Sequence, residues 1–330
     1  MNSRRRFLGT MAAAAAAPAL TALPAAAATS VKLLTIVVGY PPGGGTDVLA
    51  RLVGAGMQGT YADSVIVENR AGAGGRIAAE YVKNSKPDGS TFLYTPSFPM
   101  VIYPHIYKDM RYDTLTDFDP VAMTHRGVMA LSIGPAVPSN VKTLRDFVAW
   151  CKATPSRVNF FGAPAGSSQH FTGVLLAKAA GINFQLVDYK GGAPSIVDTL
   201  GGQISSTITA LSEVTPYLND PRMRILASSG AERSPVVPKL PTMAETYKDC
   251  VIQNFSGFFS AAKTPKDLIA AANVATNRAV LTKKIHDEML VLGSNPLVAA
   301  MSPQTFGANV KSDWLRYQTL VKQTGFVAED

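Results

Sequence analysis

Apolar positions fall into two alternating rhythms along most of the chain. Residues 31–38 are almost continuously apolar and β-branched, which predicts a buried strand, and they run into a turn built on Gly39, Gly43, Gly44 and Gly45. Val48, Leu49, Leu52 and Val53 then recur at helical spacing, with Thr46 or Asp47 placed to cap that helix. The order strand, turn, helix repeats with a strand over 64–68, a turn at Gly72, Gly74 and Gly75, a helix over 78–83 and a strand over 92–94. Residues 101–119, rich in aromatics, proline and aspartate, read as a surface excursion. The alternation resumes with a strand over 128–133, a helix over 144–152 and a strand over 158–161 that ends in the loop 162–170. Short apolar runs at 184–187, 196–200, 206–209 and 223–227 extend it. A strand over 255–261 and helices over 268–281, 283–292 and 306–323 close the chain.

This alternation predicts an α/β fold of layered sheets and helices. Roughly 300 residues follow the N-terminal segment described next, more than one core usually serves, so two α/β domains are expected. The expected division places 29–127 with 255–330 in one domain and 128–254 in the other. Crossings near 124–129 and 251–257 would form a two-segment hinge between them.

The first 28 residues follow a different pattern. Arg4, Arg5 and Arg6 precede a weakly apolar, alanine-rich run that ends in small residues at 25–28, which reads as a cleavable export signal. Its Ser-Arg-Arg-x-Phe-Leu pattern resembles a twin-arginine signal, and a periplasmic location is expected. Pro18 and Pro24 interrupt the run and argue against a membrane anchor.

The formal charge is +8, and taking away the three signal arginines leaves +5. No Lys/Arg run or basic-aromatic alternation marks a nucleic-acid surface. Cys151 and Cys250 are the only cysteines and are expected to be separate, packed thiols. His105, His125, His170 and His286 show no metal-ligand spacing, and neither a metal nor a cofactor is expected. Acids such as Asp198 and Glu213 read as solvated surface.

Two loops carry candidate chemistry. In Tyr40-Pro41-Pro42-Gly43-Gly44-Gly45-Thr46-Asp47, consecutive glycines would let backbone amides approach an anion at a helix N-terminus. Alone, this loop reads more simply as a tight strand-to-helix turn. It is no nucleotide loop of the familiar kind, because Gly-Lys-Ser/Thr does not follow, and Gly72-Ala73-Gly74-Gly75 lacks the third glycine of a dinucleotide fingerprint. In the second loop Gly166, Ser167 and Ser168 offer amides and hydroxyls suited to a carboxylate. An exported hydrolase would use Ser168 as nucleophile and His170 as base, yet position 170 breaks the Gly-x-Ser-x-Gly elbow.

From Tyr40 to Asp47 the chain resembles the substrate-binding proteins of tripartite tricarboxylate transporters, the Bug family. Further segments agree in the same order: Glu68-Asn69-Arg70-Ala71-Gly72, Pro87-Asp88-Gly89, Tyr189-Lys190-Gly191-Gly192-Ala193-Pro194, Leu200-Gly201-Gly202-Gln203 and Pro241-Thr242-Met243-Ala244-Glu245. The resemblance implies a type 2 periplasmic-binding-protein fold, a monomer that encloses a small organic acid between its domains. It implies delivery to membrane permease components or, for some members, to a sensor for a signalling kinase. It also implies that 40–47 and the loop holding Ala163, Gly166, Ser167, Ser168 and His170 grip the ligand, with Ser97, Tyr189 and Thr209 facing the same cleft. Family members often carry Asp where this chain has Thr209, and Asn where it has Ala165. Thr209 supplies no charge for a ligand ammonium, so a plain mono- or dicarboxylic acid, with an apolar or aromatic body, is expected over an amino acid.

Overall fold

The computed structural model describes residues 31–154, 160–163, 165–189 and 191–328, so the expected export signal and the start of the strand expected at 158–161 lie outside the described residues. The chain begins with β1 (Val31–Val38), α1 (Gly45–Met57), β2 (Ala62–Asn69), α2 (Arg76–Lys83) and β3 (Thr91–Pro96). Two single-turn helices, α3 (Phe98–Val101) and α4 (Tyr103–Ile106), lead to the long strand β4 (Phe118–Ile133). Then come α5 (Leu144–Ala153), β5 (Phe160–Ala163), α6 (Ser168–Ala180), β6 (Gln185–Asp188), α7 (Gly192–Leu200), β7 (Ser206–Ala210), α8 (Leu211–Val214) and β8 (Arg224–Ser228). The chain ends with β9 (Gln253–Ala261), α9 (Lys266–Leu281), α10 (Lys283–Val291), β10 (Asn295–Pro296) and α11 (Pro303–Thr324).

One half of the sheet runs β2-β1-β3-β9-β4, with β1 parallel to β2 and β3, and β9 antiparallel to both β3 and β4. The other half is formed by the far end of β4, which pairs antiparallel with β7 and β8, while β7, β5 and β6 run parallel. Strand β4 belongs to both halves, and the chain returns from one to the other at the start of β9. β1 lies between two parallel neighbours and is covered on both faces, which is why Leu34, Ile36, Val37 and Val38 are all fully buried and why its sequence barely alternates.

Each half has its own core. Leu34, Phe92, Phe258, Phe259 and Phe306 centre the first, and Leu131, Phe147, Phe161 and Leu176 the second. A smaller cluster of Ala130, Ile196, Val214 and Met223 lies apart from the second. Cys151 and Cys250 are buried and unbridged, and Cys250 Sγ lies 3.7 Å from Met243 Sδ.

Two expectations need correction. Residues 101–119 are no surface excursion, since Val101 and Ile102 are fully buried and Tyr112, 5% exposed, donates its hydroxyl to the Pro99 carbonyl at 2.7 Å. The aromatics there pack against α11, which only the folded chain brings near. The strand expected over 128–133 begins ten residues earlier, at Phe118. Pro120 and His125 flank register shifts, so bulges absorb a proline and a polar stretch that read as loop.

Candidate functional site

The register of the central strands decides where the loops lie. Pro96 at the end of β3 pairs with Ser256 of β9, and Ser256 pairs with His125 of β4. Ala210 at the end of β7 pairs with Met129, only four residues further along β4 and hence about 13 Å away. The C-terminal ends of both parallel sets therefore face the same short crossing, the usual ligand position in α/β sheets. This brings 40–47 and Ser97 from one half toward the loops after β5, β6 and β7 from the other.

The loop before α1 is held open from behind. Asp47 was expected to cap α1 or to meet a ligand, but its carboxylate is buried and turned inward. One oxygen accepts from the Gly43 amide at 2.9 Å and from Arg51 Nε at 3.0 Å, and the other accepts from Asn69 Nδ2 at 2.8 Å. Asn69 Nδ2 also donates to the Tyr40 carbonyl at 3.0 Å, so one network fixes both ends of the turn. Burial alone would raise the Asp47 pKa, but Arg51, the Gly43 amide and Asn69 outweigh it and bring it down to about 2. Gly43 has φ +80°, a conformation that strains any residue with a Cβ. The residue before α1 is Gly44, with no side chain to cap the helix, and Thr46 makes no cap either. The first turn of α1 thus presents the positive end of the helix with no side-chain cap on it.

Around this nest, Tyr40 donates its hydroxyl to the Gly74 carbonyl at 2.9 Å and sets its ring edge-on to Phe98, with centroids 6.1 Å apart. Phe98 continues to Tyr103 and Tyr107, and the Arg76 guanidinium lies 3.6 Å over the Tyr107 ring. The wall is therefore aromatic, with a cation at its far end. The Ser97 hydroxyl is buried at the head of α3 without a hydrogen-bond partner among the described residues.

The opposite loop is tied to the C-terminal helix. Ala163 is fully buried at the end of β5, and the Ala165 amide donates to Asp188 at 2.7 Å. Gly166 packs against Ile106 and Phe326 and donates its amide to His170 Nδ1 at 3.2 Å. The Ser167 side chain caps α6 by accepting from the His170 amide at 3.3 Å. Ser168 is fully buried with its hydroxyl facing that of Tyr317, and among the described residues no hydrogen bond joins it to His170. The His170 ring stacks on Phe171 at 5.2 Å and meets Phe326 edge-on at 5.0 Å. The geometry therefore separates Ser168 from His170. Thr209 is fully buried at the end of β7. The Tyr189 hydroxyl donates to Asp198 at 2.7 Å, so Asp198 is not merely solvated. Glu213 is part-buried as well, and accepts from the Ala210 amide at 3.1 Å.

Burial, opposed only by Asp188, takes the His170 pKa down to about 4. The unfolded chain would bind the proton near pH 6.5, so this group contributes stability at neutral pH that is lost as pH falls from about 6.5 toward 4. Replacing it with glutamine is expected to reduce the pH slope of stability in that window by about one proton, read from urea unfolding at several pH values. An unchanged slope would place the titrating group elsewhere.

Sequence reasoning missed Arg51 as a loop support, Glu213, and the α11 residues Tyr317 and, just beyond it, Phe326. The i,i+4 spacing of Asp47 and Arg51 was a legible sign of the first. Nothing in the sequence signalled the others, because their partners come from distant segments. Among the described residues no helix is long and apolar enough to cross a membrane.

Two lobes built on crossing strands, with strand ends and helix N-termini converging between them, define a periplasmic-binding-protein architecture. Residues 49–326 match the family described as tripartite tricarboxylate transporter family receptor, and this chain belongs to that family of periplasmic solute-binding proteins. BugT of Bordetella pertussis is 30% identical over 294 residues, covering 88% of this chain and 89% of that protein. The R. palustris protein Rpa4515, solved with adipate, superposes with a TM-score of 0.75 at 29% identity over 90% of this chain and 98% of that one. MatC from Rhodopseudomonas palustris, solved with bound malate, gives 0.71 at 26% identity over 88% and 99%.

Proposed function

We propose that this chain captures one small organic carboxylate in the periplasm, between a domain of residues 29–127 plus 255–330 and a domain of residues 128–254, and passes it to the membrane components of a tripartite transporter. The observation that carries this reading is the glycine-headed, uncapped N-terminus of α1, which lies at the end of one parallel strand set while the loops after β5, β6 and β7 lie at the end of the other, both directed at the same stretch of β4. The solved relatives with adipate and malate support the carboxylate class.

Closure about the paired strands β4 and β9 would desolvate the acid between 40–47 and 163–170, and permease docking would then read the closed shape. The same contacts argue for binding without catalysis. Ser168 lacks the hydrogen bond to His170 that would activate it as a nucleophile, and His170 Nδ1 already accepts from Gly166. Export through the signal at 1–28 and a monomeric state belong to the same proposal.

The test is a thermal-shift screen of the mature chain against mono-, di- and tricarboxylates, aromatic acids and amino acids, with mass spectrometry of the recovered ligand. One class of acid is expected to raise the melting temperature and to return unaltered. Stabilisation by none of them would remove the carboxylate reading, and a chemically changed ligand would remove the non-enzymatic one.

A further inference from the structure

The end of β7 carries the uncharged Thr209, so that strand end itself supplies no acid. The structure supplies one from the next turn of chain. Glu213 lies in the single-turn helix α8 that leaves the end of β7, and its carboxylate accepts from the Ala210 amide at 3.1 Å. That carboxylate also lies directly over Gly192, the first residue of α7. A Cβ there would sit 2.4 Å from Oε2 and 2.7 Å from the carboxyl carbon, so any larger residue would push the carboxylate aside. The carboxylate therefore lies between the end of β7 and the start of α7, on the side of the sheet where β6 and β7 end.

Glu213 forms no ion pair among the described residues, and one amide satisfies a group with about four acceptor sites. Burial raises its pKa, only partly opposed by the Ala210 amide. A half-buried carboxylate that meets no cation among the described residues attracts a donor and repels a second carboxylate.

We propose that Glu213 is the specificity-determining acid of the cleft, favouring a monocarboxylate that carries an ammonium or other N–H donor over a dicarboxylate. This rests on the carboxylate-capture reading above. It reverses the preference drawn from Thr209 alone and sets this chain apart from relatives solved with dicarboxylates.

Calorimetry on the full mature chain tests it, with four- to six-carbon acids each offered as the monocarboxylate, its amino acids and the dicarboxylate. The wild type is expected to favour an amino member at least about tenfold over the dicarboxylate of equal length. Glu213→Gln keeps an oxygen acceptor for the Ala210 amide and removes the charge, and should reduce that ratio at least about tenfold. Adding Thr209→Asp to Glu213→Gln should restore it, an outcome that a purely structural glutamate would not give. A wild type that prefers dicarboxylates overturns the proposal without any variant. A ratio unchanged in Glu213→Gln overturns it while leaving carboxylate capture intact. If no acid of any kind binds, capture itself falls, and this with it.

Discussion

Replacing Asp47 by alanine is expected to cost about 3 kcal/mol of folding stability at neutral pH and to weaken ligand binding at least about tenfold. The side chain is buried and satisfies the Gly43 amide, Arg51 and Asn69 together. Its removal takes an acceptor from the Gly43 amide and from Asn69 Nδ2, which keeps only the Tyr40 carbonyl, and it frees the turn at the head of α1. Asparagine should fall between, because it keeps one acceptor oxygen and loses the charge. The depressed pKa fixes the acid behaviour. A carboxyl at about 2 when folded and near 4 when unfolded contributes stability that is fully present above pH 4 and lost as pH falls through 2. That contribution is about 2 kcal/mol at most, since Arg51 is half exposed and solvent screens its share. Urea unfolding at pH 7 and pH 3, with calorimetry on the ligand found for the wild type, reads both effects. A variant that unfolds and binds like the parent would show that the network is idle.

The second large effect is on binding alone. Gly45→Leu is expected to leave stability within about 1 kcal/mol of wild type and to weaken ligand binding at least about a hundredfold. Gly45 opens α1, and a Cβ placed there meets nothing within 4 Å, so the new side chain enters free space without strain. The space it enters is the one assigned to the ligand carboxylate. Full affinity in this variant would move the carboxylate away from α1.

The elements that were legible in the sequence are those whose burial is uniform along their length. β1 reads as a continuous apolar run because it lies centrally, and the closing helices read from their periodicity. The first ten residues of β4 did not, because Pro120, Thr124, His125 and Arg126 carry no strand pattern and are held by pairing to β9. The segment 101–119 was misread for a related reason, since its partners on α11 lie some 200 residues away. At the candidate site, composition and local spacing were enough to single out the glycine-rich loop and the serine loop as candidates. Their supports were not legible in this way: the polarity of Asp47 suggested contact with solvent or ligand, whereas a neighbouring strand turns it inward. Glu213 looked like an ordinary surface acid because nothing in the sequence places Gly192 beneath it.

The division of the two cores also orders the assembly of the chain during synthesis. Every residue centred on the second core lies between 129 and 250, whereas the first joins Leu34 and Ile36 to Phe306, Tyr317 and Val321. The inserted lobe can therefore finish folding before the segment that precedes it. Until β9 emerges, β3 presents an unpaired edge beside a parallel sheet, which is the arrangement most prone to join another chain. A nascent chain of this protein should accordingly be most dependent on chaperones after its second lobe is complete and before its last helix has left the ribosome.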